Sequence, residues 1–95
     1  MTRSIIVFTK NVLFPTRKVL IWNLGKNLKL KLERGIGFEM VADALERNAF
    51  QIAKVKSKNH PGQKCFLIRW HGKKWVVPFR ENKTSIYLFT IYEEN

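Results

Sequence analysis

The sequence predicts an α+β domain in which two helices pack on one face of an antiparallel sheet of four to six strands. Three observations carry this. Apolar residues recur at helical spacing in two adjacent windows, 24–32 and 38–45. From about residue 50 onward the spacing changes to every second residue. The chain has 95 residues, 45% of them hydrophobic, which suffices for one packed core and fits one domain.

Taken in order, Ser4–Thr9 reads as a short strand that Lys10 and Asn11 end, Phe14-Pro15-Thr16 as a turn, and Lys18–Trp22 as a second strand. Asn23 is a good N-cap. Leu24, Leu28 and Leu32 follow at i, i+4 and i+8, with lysines between them, and describe an amphipathic helix with its leucines toward the core. Gly35 is the stop signal, and Arg34 in the last turn complements the helix dipole. Phe38, Val41, Ala42 and Leu45 define a second helix over 38–47, with Glu39 and Asp43 in its first half. Strands are predicted at 51–56, 64–70, 74–79 and 85–92, with a loop at 57–62 and turns at 71–73 and 80–84. Pro78 marks an irregular or edge position. Short turns between successive strands imply antiparallel pairing.

The charge is lopsided. There are 18 Lys and Arg against 7 Asp and Glu, a net +11. No acid precedes Glu33, and four of the seven fall between Glu33 and Glu46. The excess cations therefore lie on the flanks of a nearly neutral middle. Such a chain repels itself and gains from a polyanion. Nucleic acid is the first candidate, an acidic protein the second, an anionic membrane surface the third.

Several classes find no support. Two histidines and one cysteine offer no metal-ligand spacing, and no glycine loop suits a phosphate. No cofactor is implied. No apolar run approaches the roughly 18 residues of a membrane span, and Ile5–Phe8 is too short for a signal-peptide core. The lone Cys65 permits no internal disulfide and suits a reducing cytoplasm; in its apolar run it reads as a small buried hydrophobe.

The basic residues point to RNA. Lys26, Lys29, Lys31 and Arg34 share the first helix; Lys54 and Lys56 alternate on a strand; Arg69, Lys73 and Lys74 crowd a hairpin that also holds Trp70 and Trp75, with Tyr87 and Tyr92 near by. Cations for phosphates and rings for bases are the recurring pattern of single-strand recognition on a sheet. RNA can also be cut without metal when a base takes the 2′-OH proton and cations stabilise the dianionic phosphate. His60 and His71 have suitable ordinary pKa values for the base. Glu33 is another candidate base, or a helix-surface carboxylate beside Arg34.

The segment Trp22-Asn-Leu-Gly-Lys26-Asn27, followed by Leu30-Lys-Leu-Glu-Arg34-Gly35-Ile-Gly-Phe38-Glu39, resembles the BrnT toxin family of type II toxin–antitoxin systems. The closing stretches Trp75–Phe79 and Phe89–Tyr92 resemble one branch of that family, so that the resemblance spans about residues 19–92. It implies a RelE-like fold over 19–95, preceded by an N-terminal extension, 1–18, of strand and turn. It implies a cytoplasmic, metal-independent ribonuclease toxin that cleaves mRNA, inhibits translation and is held by an acidic antitoxin, itself able to bind DNA. By position, Lys26 matches the family's helix lysine and Arg34 stands where many members have histidine, with Arg80 and Glu33 as further catalytic candidates. The chain departs from the pattern at Asn23, where aspartate is usual, and in Glu93-Glu94-Asn95, where members continue into a basic tail. The alternative reading is a non-catalytic RNA- or DNA-binding protein, or an inactive toxin relative, acting through an acidic partner.

Overall fold

The computed structural model describes residues 5–14, 16–55 and 62–94, with side chains described for 18–54 and 62–94. Strand β1 (Ile5–Phe14) and β2 (Thr16–Asn23) are followed by helices α1 (Leu24–Arg34) and α2 (Phe38–Glu46). Strands β3 (Gln51–Val55), β4 (Gln63–Trp70), β5 (Lys73–Glu81), β6 (Ser85–Leu88) and β7 (Tyr92–Glu93) complete the chain. Among the described residues, no helix is long and apolar enough to cross a membrane.

The sheet has seven strands in the order β1-β2-β6-β5-β4-β3, with β7 beside β5. It is mixed, which corrects the expectation of an antiparallel sheet. Strand β2 runs parallel to β6, Leu20 beside Ile86. The reason is the helical pair: it carries the chain away after β2, so β2 finds its second neighbour near the other end of the sequence. Strand β1 is also longer than expected. Its pairing with β2 resumes past Lys10 and Asn11, which fall in a register irregularity between Phe8 and Val12, so they interrupt the ladder without ending the strand.

The last predicted strand, 85–92, is broken in two. Phe79 pairs with Leu88, but Val76 pairs with Tyr92, one residue more than an unbroken ladder would insert. The break faces Pro78, which has no N–H to give; its carbonyl still accepts from the Phe89 N–H at 3.1 Å. The extra residue turns Ile91 into the core, where it is fully buried.

One face of the sheet supplies Leu20 and Trp22 from β2, Phe66 and Ile68 from β4, Trp75, Val77 and Phe79 from β5, and Ile86 and Leu88 from β6. Both helices bury their inward residues in that same core. Phe66 stacks on Phe79 at 4.0 Å and Trp22 on Phe38 at 5.7 Å between ring centroids.

Helix α1 starts where Asn23 Oδ1 accepts from the Lys26 N–H at 2.8 Å and ends at Gly35, whose φ of 69° suits glycine. Its orientation corrects the sequence reading. The residues it buries are Asn27 and Leu30, while Leu24, Leu28 and Leu32 face solvent. Asn27 explains the choice of face. Helix α2 begins after Gly37, which has no side chain to cap it, and Asn27 Oδ1 accepts the Phe38 N–H at 2.7 Å instead. Asn27 Nδ2 donates to Glu39 Oε2 at 3.0 Å, and Lys31 Nζ reaches the same oxygen at 3.1 Å. Burial pushes the Glu39 carboxyl up, but its backbone bond, Lys31 and Asn27 together hold it below the usual range. A Cβ on Gly37 would lie 2.6 Å from Glu39 Oε1 and Lys31 Cε and 2.8 Å from Asn27 Oδ1, so any larger residue would displace the side chains of this joint.

Candidate nucleic-acid interface

Strand alternation divides the cations between two sides of the sheet. On β5, Trp75, Val77 and Phe79 point to the helix-covered core, so Lys74, Val76, Pro78 and Arg80 lie on the opposite face. On β4, Leu67 and Arg69 join that face, and on β6 so does Tyr87, opposite Arg80. Along the middle of this face Cys65 and Val76 are buried, Leu67, Pro78, Tyr87 and Tyr92 are half-buried, and Arg69, Lys74, Arg80 and Phe89 are exposed.

Three features of this open face suit a polyanion. First, Arg69 and Lys74 sit directly opposite one another on β4 and β5. Like charges in a cross-strand pair destabilise the sheet by themselves. Lys74 Nζ has Glu94 Oε1 at 3.5 Å, but both side chains are nearly half exposed, so that pair is weak. Second, these two residues border a shallow cleft of about 540 Å³ completed by Ala49, Phe50, Gln51 and Leu67. Third, about 20 Å along β5 from Lys74, the Arg80 guanidinium lies 5.7 Å from the Phe89 ring centroid, and that ring is 5.2 Å from Tyr87. A guanidinium against two partly exposed rings offers both a phosphate contact and a stacking surface.

The other predicted residues are elsewhere. Lys26, Lys29, Lys31, Glu33 and Arg34 belong to α1, on the helix side of the sheet, away from Arg80. The four catalytic candidates Lys26, Glu33, Arg34 and Arg80 are therefore not brought together. Arg34 Nη1 donates to the Ile91 carbonyl and pins the bulge between β6 and β7. Lys54 pairs with Lys64 on the face of β3 and β4 that also carries Phe66, the helix-covered one, and Lys64 and Lys18 meet Glu81 at 3.5 and 2.6 Å. Lys73 alternates to the helix side, with Glu93 at 3.8 Å. Trp75 is 6% exposed in the core, with no ring face for a base, and Trp70 packs half-buried against the same core. Lys56 and His60 lie outside the described residues. His71 is exposed at the tip of the β4–β5 hairpin, in a left-handed conformation with φ 52°, its ring 5.0 Å from Trp70. Among the described residues, no three of His, Cys, Asp and Glu converge on a metal-sized site.

Sequence reasoning missed Phe89 and the Phe50–Gln51 wall of the cleft. Phe89 was discoverable, because it stands two residues from Tyr87 in a period-two pattern. The cleft wall was not, since Phe50 lies in the connection before β3.

Comparison with known protein families, curated proteins and solved structures gives no match to this chain.

Proposed function

We propose that this protein binds single-stranded RNA across the open face of its sheet, in the cytoplasm. The observation that carries the reading is the facing pair Arg69 and Lys74, a repulsion built into the sheet that a bound phosphate would relieve. The rings of Tyr87 and Phe89 beside Arg80 supply stacking of a kind that tolerates any base. The net charge of +11 supports a polyanionic partner in general.

The RelE-like ribonuclease toxin that the family resemblance implies is a more specific proposal. It asks for a base and cations around one phosphate, and Lys26, Glu33 and Arg34 stand on the other side of the sheet from Arg80. The described groups that could serve as a base nearest the open face are His71, whose ring lies against Trp70 at the hairpin tip, and Glu94, whose Oε1 is 3.5 Å from Lys74 Nζ. Binding without cleavage is the function the geometry favours.

The test is titration of a labelled single-stranded RNA at several salt concentrations. Affinity falls log-linearly with salt, and replacing Arg69, Lys74 and Arg80 together by Gln removes about two units of that slope. Phe89→Ala costs about 1–3 kcal/mol of binding at every salt. Undiminished binding by these variants would sink the surface assignment. RNA fragments that vanish with His71→Ala would establish cleavage.

A further inference from the structure

Helix α1 places an apolar stripe away from the core. Leu28 and Leu30 are two residues apart, about 200° around the helix, and Leu30 is the one buried in the core. Leu24, Leu28 and Leu32 are 43%, 60% and 79% exposed. Five large hydrophobics are exposed among the described residues, and three of them form this single line, one per turn. A line of that kind is a surface for contact, unlike scattered single residues.

We propose that this stripe is the docking seam for an acidic amphipathic helix of a partner protein. Its flanks argue for the occupant. The exposed Lys29 lies on one side and Lys31, which also reaches Glu39, on the other, while among the acids α1 itself carries only Glu33. A second copy of the same helix would set lysine against lysine, which disfavours pairing. A membrane surface would meet a narrow stripe with no aromatic on an 11-residue helix, where interfacial helices present a broad apolar face anchored by aromatics. A helix with its own apolar stripe and glutamates beside it buries the leucines and neutralises the lysines at once. This seam and the open face use different sides of the molecule, so a partner and RNA can be held together.

The experiment uses the full chain and a labelled peptide of about three heptads, leucine at a and d and glutamate at e and g. The protein binds it saturably, and an RNA oligonucleotide does not displace it. Leu28→Ala with Leu32→Ala weakens peptide binding about tenfold or more, moving the melting temperature by no more than a few degrees and leaving RNA affinity unchanged. Lys29→Glu weakens it too and flattens its salt dependence. The same peptide with lysine in place of glutamate binds much more weakly. Equal binding of both peptides, or of the leucine variant, overturns the proposal. So does a wild-type dimer that the leucine variant abolishes, which would make a second copy the occupant. Leucine-dependent binding to phosphatidylserine vesicles without peptide binding would assign the stripe to a membrane.

Discussion

Helices α1 and α2 are neighbours in the chain and alike in length, yet they relate to the core in opposite ways. Over 9 residues α2 buries Phe38, Met40, Val41, Ala42, Ala44 and Leu45. Over 11 residues α1 buries only Asn27 and Leu30 and turns three leucines outward. One helix is held by its apolar face. The other is held by a buried amide, one leucine and the Arg34 bond to the Ile91 carbonyl. A leucine repeat thus establishes a helix without establishing which side is covered. The covered side is decided by the polar joint at Gly37, where Asn27 supplies the cap that α2 lacks.

The sharpest way to break this contrast is to empty the core under α2. Phe38 is fully buried and stacks on Trp22. Phe38→Ala removes that ring and leaves a cavity, at a cost of about 3–5 kcal/mol. Urea denaturation followed by circular dichroism measures it. A loss below 1 kcal/mol would mean that α2 is not the anchoring helix.

The next effect concerns the joint. Asn27→Ala leaves the buried Phe38 N–H without its acceptor, which costs about 1–3 kcal/mol. Acid should reproduce part of this loss. The folded state holds the Glu39 carboxyl below its ordinary range. Its contribution is therefore complete above the ordinary glutamate pKa and disappears as pH falls through the folded value. Glu39→Gln should flatten that part of a stability–pH profile while leaving neutral-pH unfolding two-state. An unchanged acid limb in Glu39→Gln would remove Glu39 from the joint.

The sequence made the local devices legible and hid those that depend on distant pairing. The Asn23 cap, the Gly35 stop, the two-residue turn at His71 and Gly72 and the alternation on β4 and β5 are each written within a few neighbouring residues. The parallel pairing of β2 with β6 joins residues more than sixty positions apart and leaves no local trace. The break at 89–91 is dictated by Pro78 on another strand. In the candidate interface, Arg69, Lys74 and Arg80 were legible as cations. That they share a face while Trp75 turns into the core follows from the strand phase, which the sequence pattern carries for β5 once Val77 and Phe79 are taken as inward. The α1 cations were grouped with them because charge shows composition and not side.

The smallest expected effect gives the contrast its control. Leu28→Ala and Leu32→Ala each remove a leucine side chain that is 60% or 79% exposed. Neither opens a cavity, and alanine is the better helix former, so each should change stability by no more than about 0.5 kcal/mol. The same chemical deletion at Leu30, fully buried in the same helix, should cost about 2–5 kcal/mol. Two leucines two residues apart would then differ several-fold, measured in one denaturant series. If Leu28→Ala proved as costly as Leu30→Ala, the stripe would be part of the fold and unavailable as a docking seam. If it proved silent, three exposed leucines on one helix would have no role in holding the chain together, and contact with another molecule is the role that remains.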